Sequence, residues 1–129
     1  MKPERMRIVL AEWDGWRIEI CGAAWILRRP DNTVASSGHR ADHDIRSLED
    51  YQATWKSEML WPDYPNSLDA VHELEAKLPS EERTNYQFYL DKICSTAKDS
   101  HCSCWDFIHA TAAQRCEALL KTLNLWEEE

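Results

Sequence analysis

The chain has 129 residues, which is enough for one domain of ordinary size and too few for two. Apolar residues make up 43% of the chain and seven of its residues are tryptophan, so it can bury a core and is not intrinsically disordered. The net charge is −8, with 15 lysines and arginines against 23 aspartates and glutamates, and this charge disfavours direct binding to nucleic acid or to an anionic membrane.

The first predicted element covers residues 3–13, and its pattern fits two structures. Apolar alternation over residues 8–10 ahead of the turn signal Asp14-Gly15 is typical of a β-hairpin. Apolar residues spaced i, i+3, i+4 and i+7 from Met6 instead share one face of a helix. A proline at the first helical position and a glycine after the last favour the helix, with the strand as the alternative.

Three short strands are predicted next. Residues 16–21 alternate between apolar and polar, which is the period of a strand with one buried face. A second run covers residues 24–29, and a proline-containing turn separates it from a third over residues 33–36. We therefore expect a small antiparallel β-meander, which needs a layer of helices over its apolar face.

The remainder is predicted to be helical. The proposed N-caps of four helices are Ser47, Asn66, Ser80 and Thr111. The third helix contains an alternation over residues 86–90 that also permits a strand, and residues 95–106 form a polar loop. The predicted fold is α+β: a small antiparallel β-meander layered with an N-terminal helix and three to four C-terminal helices, in a single domain over residues 1–129.

The cysteines and histidines raise the question of a metal. Five cysteines, an odd number, suit a reducing compartment better than a set of disulfides. The weak zinc candidates lie close together in the sequence: Cys94, His101, Cys102, Cys104 and His109. They include one C-x-C pair and no second cysteine pair of the spacing that zinc sites use. His39 and His43 would share a face only on a helix, and the preceding Ser-Ser-Gly favours a loop. We therefore predict no cofactor, and a zinc-stabilised binding domain is one alternative.

No catalytic motif is present. The chain lacks a G-x-S-x-G nucleophile turn, a phosphate-binding glycine loop and an H-E-x-x-H helix. Cys104 and His109 can act as nucleophile and base if they lie within hydrogen-bond distance, but no orienting group or oxyanion donor accompanies them. We predict a protein that is not an enzyme.

Two segments resemble a known family of small bacteriophage proteins, the phage ABA sandwich domain. Residues 61–75 read WPDYPNSLDAVHELE, similar to the family's PDYxxxLxAMHExE, and residues 109–127 read HATAAQRCEALLKTLNLWE, similar to ATAxQRAEAFLxTLGLWE. Residues 11–16, AEWDGW, are similar to the family's opening AExxGW. Cys116 and Asn124 stand where the family has alanine and glycine. The resemblance implies an α-β-α layered fold and a phage or prophage origin, and it implies no activity.

The charge and the resemblance together predict a small acidic phage-encoded accessory protein. We expect it to act in the cytoplasm of the bacterial host by binding, and inhibiting, a host protein with a basic surface, such as a defence nuclease complex, in the manner of an anti-CRISPR protein. An aromatic anchor among acids suits such a surface, and the candidate contact residues are Asp42, Asp44, Glu49, Asp50, Trp55 and Glu58.

The oligomeric state is left open between a monomer and a small homo-oligomer. A structural or self-associating phage component is the other alternative, with Trp55, Trp61 and Trp105 as interface candidates because they lie near helix ends or loops. No apolar run is long enough to cross a bilayer, and the first residues lack the apolar core of a signal peptide, so no membrane partner is expected.

Overall fold

The computed structural model describes residues 1–56, 60–95 and 108–128. Its helices are α1 (Pro3–Asp14), α2 (Leu48–Thr54), α3 (Leu68–Lys77), α4 (Arg83–Cys94) and α5 (Ala112–Thr122), and its strands are β1 (Arg17–Cys21), β2 (Ala24–Arg28) and β3 (Val34–His39). Short 3-10 helices cover Tyr64–Asn66 and Ser80–Glu82. The predicted α+β class is confirmed.

The chain forms two compact units. The sheet unit contains residues 8–62, and the helical unit contains residues 1–7 together with the chain from residue 63 onward. The assignment of residues 1–129 to one domain stays a prediction. In the described parts of both units, no helix is long and apolar enough to cross a membrane.

Helix α1 confirms the helical interpretation of the first segment. Its C-terminal end is closed by Gly15, at φ 115°, whose N–H donates to the Ala11 carbonyl at 3.1 Å. The N–H of Trp16 donates to the same carbonyl at 3.0 Å. A residue with positive φ followed by such a bond is how many helices satisfy their last carbonyls, so Gly15 ends α1 and turns the chain into β1.

The sheet is antiparallel with strand order β1-β2-β3. The loop joining β1 to β2 has two residues, and its Gly22 has φ 58°, as a tight hairpin turn with glycine first requires. The pairing of β1 with β2 is regular from Arg17 opposite Arg28 to Cys21 opposite Ala24. The pairing of β2 with β3 has a register shift between Leu27 and Arg28. The edge strand β3 is therefore paired irregularly, whereas the edge strand β1 is paired without a shift.

One face of the sheet is apolar and buried at its centre. Trp25 and Leu27 of β2 are buried, and β3 places Gly38 directly opposite Trp25. A Cβ atom at residue 38 would lie 2.6 Å from Cζ2 of the Trp25 indole, closer than van der Waals contact allows. The absence of a side chain at Gly38 therefore leaves the space that the Trp25 indole occupies.

Helix α2 supplies an aromatic layer within the sheet unit. Its N-cap, Ser47, accepts the Asp50 N–H at 3.1 Å, as predicted. The Tyr51 ring lies 5.8 Å from the rings of both Trp25 and Trp61. Trp61 is only 1% exposed, so it belongs to the core and the prediction that it lies at an interface is wrong.

In the helical unit, two predicted helix starts need correction. The N-cap of α3 is Ser67, whose hydroxyl accepts the Ala70 N–H at 3.3 Å, whereas Asn66 ends a 3-10 helix. Residues 80–82 form a 3-10 turn ahead of α4, and residues 86–90 are helical rather than extended. The predicted loop over residues 95–106 lies, after Ser95, outside the described residues.

Helix α5 has the predicted ends. Thr111 and Gln114 form a reciprocal capping box, with the Gln114 N–H donating to Thr111 Oγ1 at 3.1 Å and the Thr111 N–H donating to Gln114 Oε1 at 2.8 Å. At the other end Asn124 has φ 59°, and the Leu125 N–H donates to the Leu120 carbonyl at 2.8 Å. Asparagine tolerates this left-handed backbone conformation, which ends the helix.

Candidate partner-binding segment and a buried polar cluster

The loop after β3 carries the first predicted contact residues, and arginines neutralise part of their charge. Asp44 Oδ1 accepts hydrogen bonds from the Nε atoms of Arg46 and Arg40, each at 3.3 Å. These bonds, that from Arg46 first, lower the pKa of the Asp44 carboxyl. Asp42 is exposed and makes no ion pair with another described residue. Of the two loop acids, Asp42 therefore presents the less compensated charge.

Asp50 has a structural role at the start of α2, as its spacing from Ser47, which resembles a capping box, indicates. Its Oδ2 accepts the Arg46 N–H at 3.0 Å, while its own N–H is bound by Ser47. Both hydrogen bonds stabilise the N-terminal end of α2. The Asp50 side chain is half-buried there. Glu49, one residue earlier in the first turn of α2, is exposed.

Trp55 connects the loop to α2. Its ring lies 4.8 Å from Tyr51, 5.5 Å from Trp25 and 5.1 Å from His43, with the last pair edge to face. His43 stands between Asp42 and Asp44 in the sequence, so this contact brings the loop acids to the C-terminal end of α2. Trp55 remains partly exposed, and Glu58 lies outside the described residues.

The structure tests the proposed metal ligands only in part. Cys94 ends α4 and is half-buried, and His109 is exposed ahead of α5, whereas His101, Cys102 and Cys104 lie outside the described residues. The Ser-Ser-Gly segment and His39 belong to β3 rather than to a loop, so the predicted third strand ended three residues too early, and the loop begins after His39. His39 Nδ1 accepts the Ala41 N–H at 3.1 Å in that loop. Within residues 1–56, 60–95 and 108–128 no three His, Cys, Asp or Glu side chains form a metal-binding group.

A second polar site, which we name the Glu75 cluster, consists of His72 and Glu75 of α3, Tyr86 of α4 and Arg115 of α5. The Tyr86 hydroxyl donates to Glu75 Oε2 at 2.7 Å, and Arg115 Nη1 donates to the same oxygen at 3.3 Å. His72 Nδ1 lies 2.8 Å from Glu75 Oε1. Three helices of the unit therefore meet at one carboxylate.

Burial affects the titration of Tyr86 in the Glu75 cluster and of a cysteine near it. Burial, and then the hydrogen bond to Glu75, raise the pKa of Tyr86 far above its ordinary value. Burial also raises the pKa of the neighbouring Cys116 to about 12, so this thiol is not a nucleophile at neutral pH. Tyr86, Gln87, Leu90 and Arg115 line an adjoining groove of about 430 Å³.

Sequence reasoning missed the Glu75 cluster because its members are far apart in the chain. Arg115 and Glu75, for example, are 40 residues apart in the sequence. The i, i+3 spacing of His72 and Glu75 is the one local signal, and this spacing is common on exposed helices.

Comparison with known proteins adds no family. No family model matches the chain, and neither the curated proteins nor the solved structures contain a significant match. The resemblance to the phage ABA sandwich domain therefore stays a prediction that rests on its motifs.

Proposed function

We propose that this chain is a small acidic phage-encoded accessory protein that binds a host protein with a basic surface and inhibits it in the host cytoplasm. The observation that carries the proposal is the ring contact between His43 and Trp55 at 5.1 Å. It places a partly exposed indole beside the loop that carries Asp42, within the sheet unit.

This arrangement has the two components of a protein-binding surface. A half-buried tryptophan held by Tyr51 and Trp25 loses little side-chain freedom on binding and offers a large apolar area. Exposed carboxylates at Asp42 and Glu49 attract a basic partner and orient it. Asp50 is reassigned from contact residue to helix cap, because its carboxylate is already bound to the Arg46 N–H.

The class of partner follows from the charge. A net charge of −8 favours surfaces that otherwise bind phosphates, such as those of a nuclease complex that defends the host. The acidic surface would then occupy the place of nucleic acid, as anti-CRISPR proteins do. The proposal includes no chemical step, and the Glu75 cluster in the other unit has no part in it.

The experiment compares two double charge reversals of equal size. The variant Asp42→Lys/Glu49→Lys changes the proposed surface, and Glu73→Lys/Glu81→Lys changes two exposed acids of the helical unit. A host protein captured by the unmodified chain is titrated with each variant by calorimetry at two salt concentrations. We expect the first variant to weaken binding about tenfold or more, with a reduced salt dependence, and the control to bind nearly normally.

Three outcomes contradict the proposal. Equal weakening by both variants means that total charge matters and the segment does not. Unchanged binding by the first variant places the contact elsewhere, and binding that ignores salt excludes charge recognition. Trp55→Ala provides a separate measurement, because loss of the anchor raises the dissociation rate rather than slowing association.

A further inference from the structure

Trp55, the C-cap residue of α2, is held by other aromatic rings on its buried side. The Tyr51 ring lies 4.8 Å from the Trp55 ring with the two planes tilted by 39°, and the Trp25 ring lies 5.5 Å away. Both of these neighbours are buried, whereas Trp55 is partly exposed. The exposed part of the Trp55 indole therefore faces away from the core, and its orientation is set before any partner binds.

The loop after β3 lies beside the same indole. The ring of the exposed His43 is 5.1 Å from the Trp55 ring, with the two planes at 66°. Asp42, the preceding residue, is exposed and makes no ion pair within the described part of the chain. Because adjacent Cα atoms are only about 3.8 Å apart, this uncompensated carboxylate belongs to the surroundings of the indole.

Two other accessible aromatic rings of the chain already have a cation above them. In the helical unit, Lys92 Nζ lies 4.4 Å from the centre of the Phe88 ring, which is 52% exposed. Lys121 Nζ lies 5.3 Å from the centre of the Trp126 ring. Among the described residues, no lysine or arginine lies over Trp55. The Trp55 indole is therefore open to a cation that comes from another molecule.

We propose that the exposed indole of Trp55 binds an arginine side chain of the partner protein, with the guanidinium stacked on the ring beside Asp42. The proposal rests on the proposed function, because it specifies which group of a basic surface the acidic segment recognises. Tryptophan is the aromatic side chain that attracts cations most strongly, and arginine is the cation found most often over such rings.

A guanidinium suits this surface better than a lysine ammonium. It is planar and weakly hydrated, so it can lie against an indole while its N–H groups remain available to a carboxylate. An ammonium group is compact and strongly hydrated, and it responds mainly to charge. The arginines of the loop, Arg40 and Arg46, are bound to Asp44, so an incoming cation meets less opposing charge there. The ring should consequently add a preference for arginine to the attraction that Asp42 provides.

The first test uses hexa-arginine and hexalysine as probes, because they carry equal charge and differ in the cation. Calorimetry at physiological salt should give the unmodified chain a dissociation constant about three- to fivefold lower for hexa-arginine, the factor that one exposed cation–π contact provides. Trp55→Leu should bring the ratio of the two constants close to one, and Trp55→Phe should retain part of the preference. Trp13→Leu, which replaces a partly exposed tryptophan of α1, is the matched control and should keep the preference.

A second pair of variants separates the ring from charge. Asp42→Asn removes an attracting charge, and Lys56→Gln removes an exposed opposing charge next to Trp55. The first should weaken and the second strengthen the binding of both peptides by about twofold, with the ratio between the peptides unchanged. A ratio that falls to one in Asp42→Asn would assign the preference to the carboxylate and overturn the role of the ring.

Nuclear magnetic resonance gives an independent measurement with the unmodified chain. The indole N–H signal of Trp55 should shift on addition of hexa-arginine and move much less with hexalysine, whereas that of the buried Trp25 should stay in place. Circular dichroism verifies that the Trp55 variants are folded, since this ring contacts Tyr51 and Trp25. Equal affinity for the two peptides, a preference that survives Trp55→Leu, or an unmoved Trp55 signal overturns the proposal.

The peptide measurements and the capture of a host protein fail separately. If the charge reversals at Asp42 and Glu49 weaken binding of the host protein but the peptides show no preference, the proposed function stands and the arginine contact is refuted. If the preference depends on Trp55 and no host protein is captured, the arginine contact stands and the proposed function is refuted.

Discussion

The close approach of Trp25 to Gly38 allows a prediction whose sign is opposite to the usual one. Gly38 lies in β3 with a φ outside the positive region, so alanine is compatible with its backbone. Replacing such a glycine normally stabilises a protein by about 0.4–1 kcal/mol through the unfolded state. Here the new Cβ would lie 2.6, 2.7 and 2.8 Å from three atoms of the Trp25 indole.

The indole has little room to move away. Trp25 is 2% exposed, and the rings of Tyr51 and Trp55 lie 5.8 and 5.5 Å from it. Overpacking a filled site costs about 1–3 kcal/mol, which exceeds the gain in the unfolded state. We therefore expect Gly38→Ala to lower the free energy of unfolding by about 1–2 kcal/mol net.

Urea unfolding followed by far-UV circular dichroism measures this change. Ser37→Ala, an exposed neighbour on the other face of β3, is the control and should stay within about 0.5 kcal/mol of the unmodified chain. In a Trp25→Phe background the bulky part of the indole is gone, so Gly38→Ala should cost little there. The reasoning is refuted if Gly38→Ala stabilises the protein, or if its cost is the same in both backgrounds.

Four further predictions concern single side chains. Thr111→Ala should lower the free energy of unfolding by about 1 kcal/mol in urea, since it removes the N-cap of α5, and no change would contradict the cap. Tyr86→Phe should cost about 1–2 kcal/mol in the same assay, because a buried acceptor loses its donor, and a neutral effect would mean that water replaces the hydroxyl. A thiol reagent at mildly alkaline pH should modify Cys21 and spare Cys116, whose pKa is raised to about 12, as peptide mass spectrometry would show. Folding lowers the pKa of Asp44, so the ionised carboxylate stabilises the folded chain. This contribution is complete above the ordinary pKa of about 4 and is lost as the pH falls below that value. The urea midpoint of Asp44→Asn should therefore decrease less on acidification than that of the unmodified chain.

Local sequence signals predicted most of the helices and strands, and the folded structure decided at which residue each of them begins and ends. The periodicity of residues 3–13 and the glycine after them were sufficient to choose a helix, because a left-handed residue at Gly15 ends a helix in a way that a strand does not need. The start of α3 was misplaced by one residue, since Asn66 and Ser67 are both good N-caps. The choice depends on which residue has extended backbone, and Ser67 does, with φ −128° and ψ 106°.

The sequence predicts which side chains of the candidate contact segment are charged. It does not predict all of their hydrogen-bond and ion-pair partners. A sequence shows that Asp42, Asp44 and Asp50 are acidic. It does not show that arginines bind Asp44, or that Asp50, which resembles the second residue of a capping box, accepts the N–H of Arg46 rather than that of Ser47. These bonds depend on how the loop folds onto α2. Reversing all three charges, which the sequence alone suggests as a binding test, would therefore also disturb the start of α2.

The same reasoning changes what the net charge of −8 means for a partner. Arginines lie within ion-pair distance of Glu19, Asp44, Glu75 and Glu127, and the Glu75 pair is largely buried. Carboxylates bound in this way contribute little to the field that a basic protein meets, because each is compensated at short range. Asp42 is exposed and makes no ion pair within the described residues, so no direct partner compensates its charge. Recognition of a basic surface should consequently depend on a few uncompensated acids rather than on the total charge, which is why the proposed test exchanges charges at chosen positions of the chain.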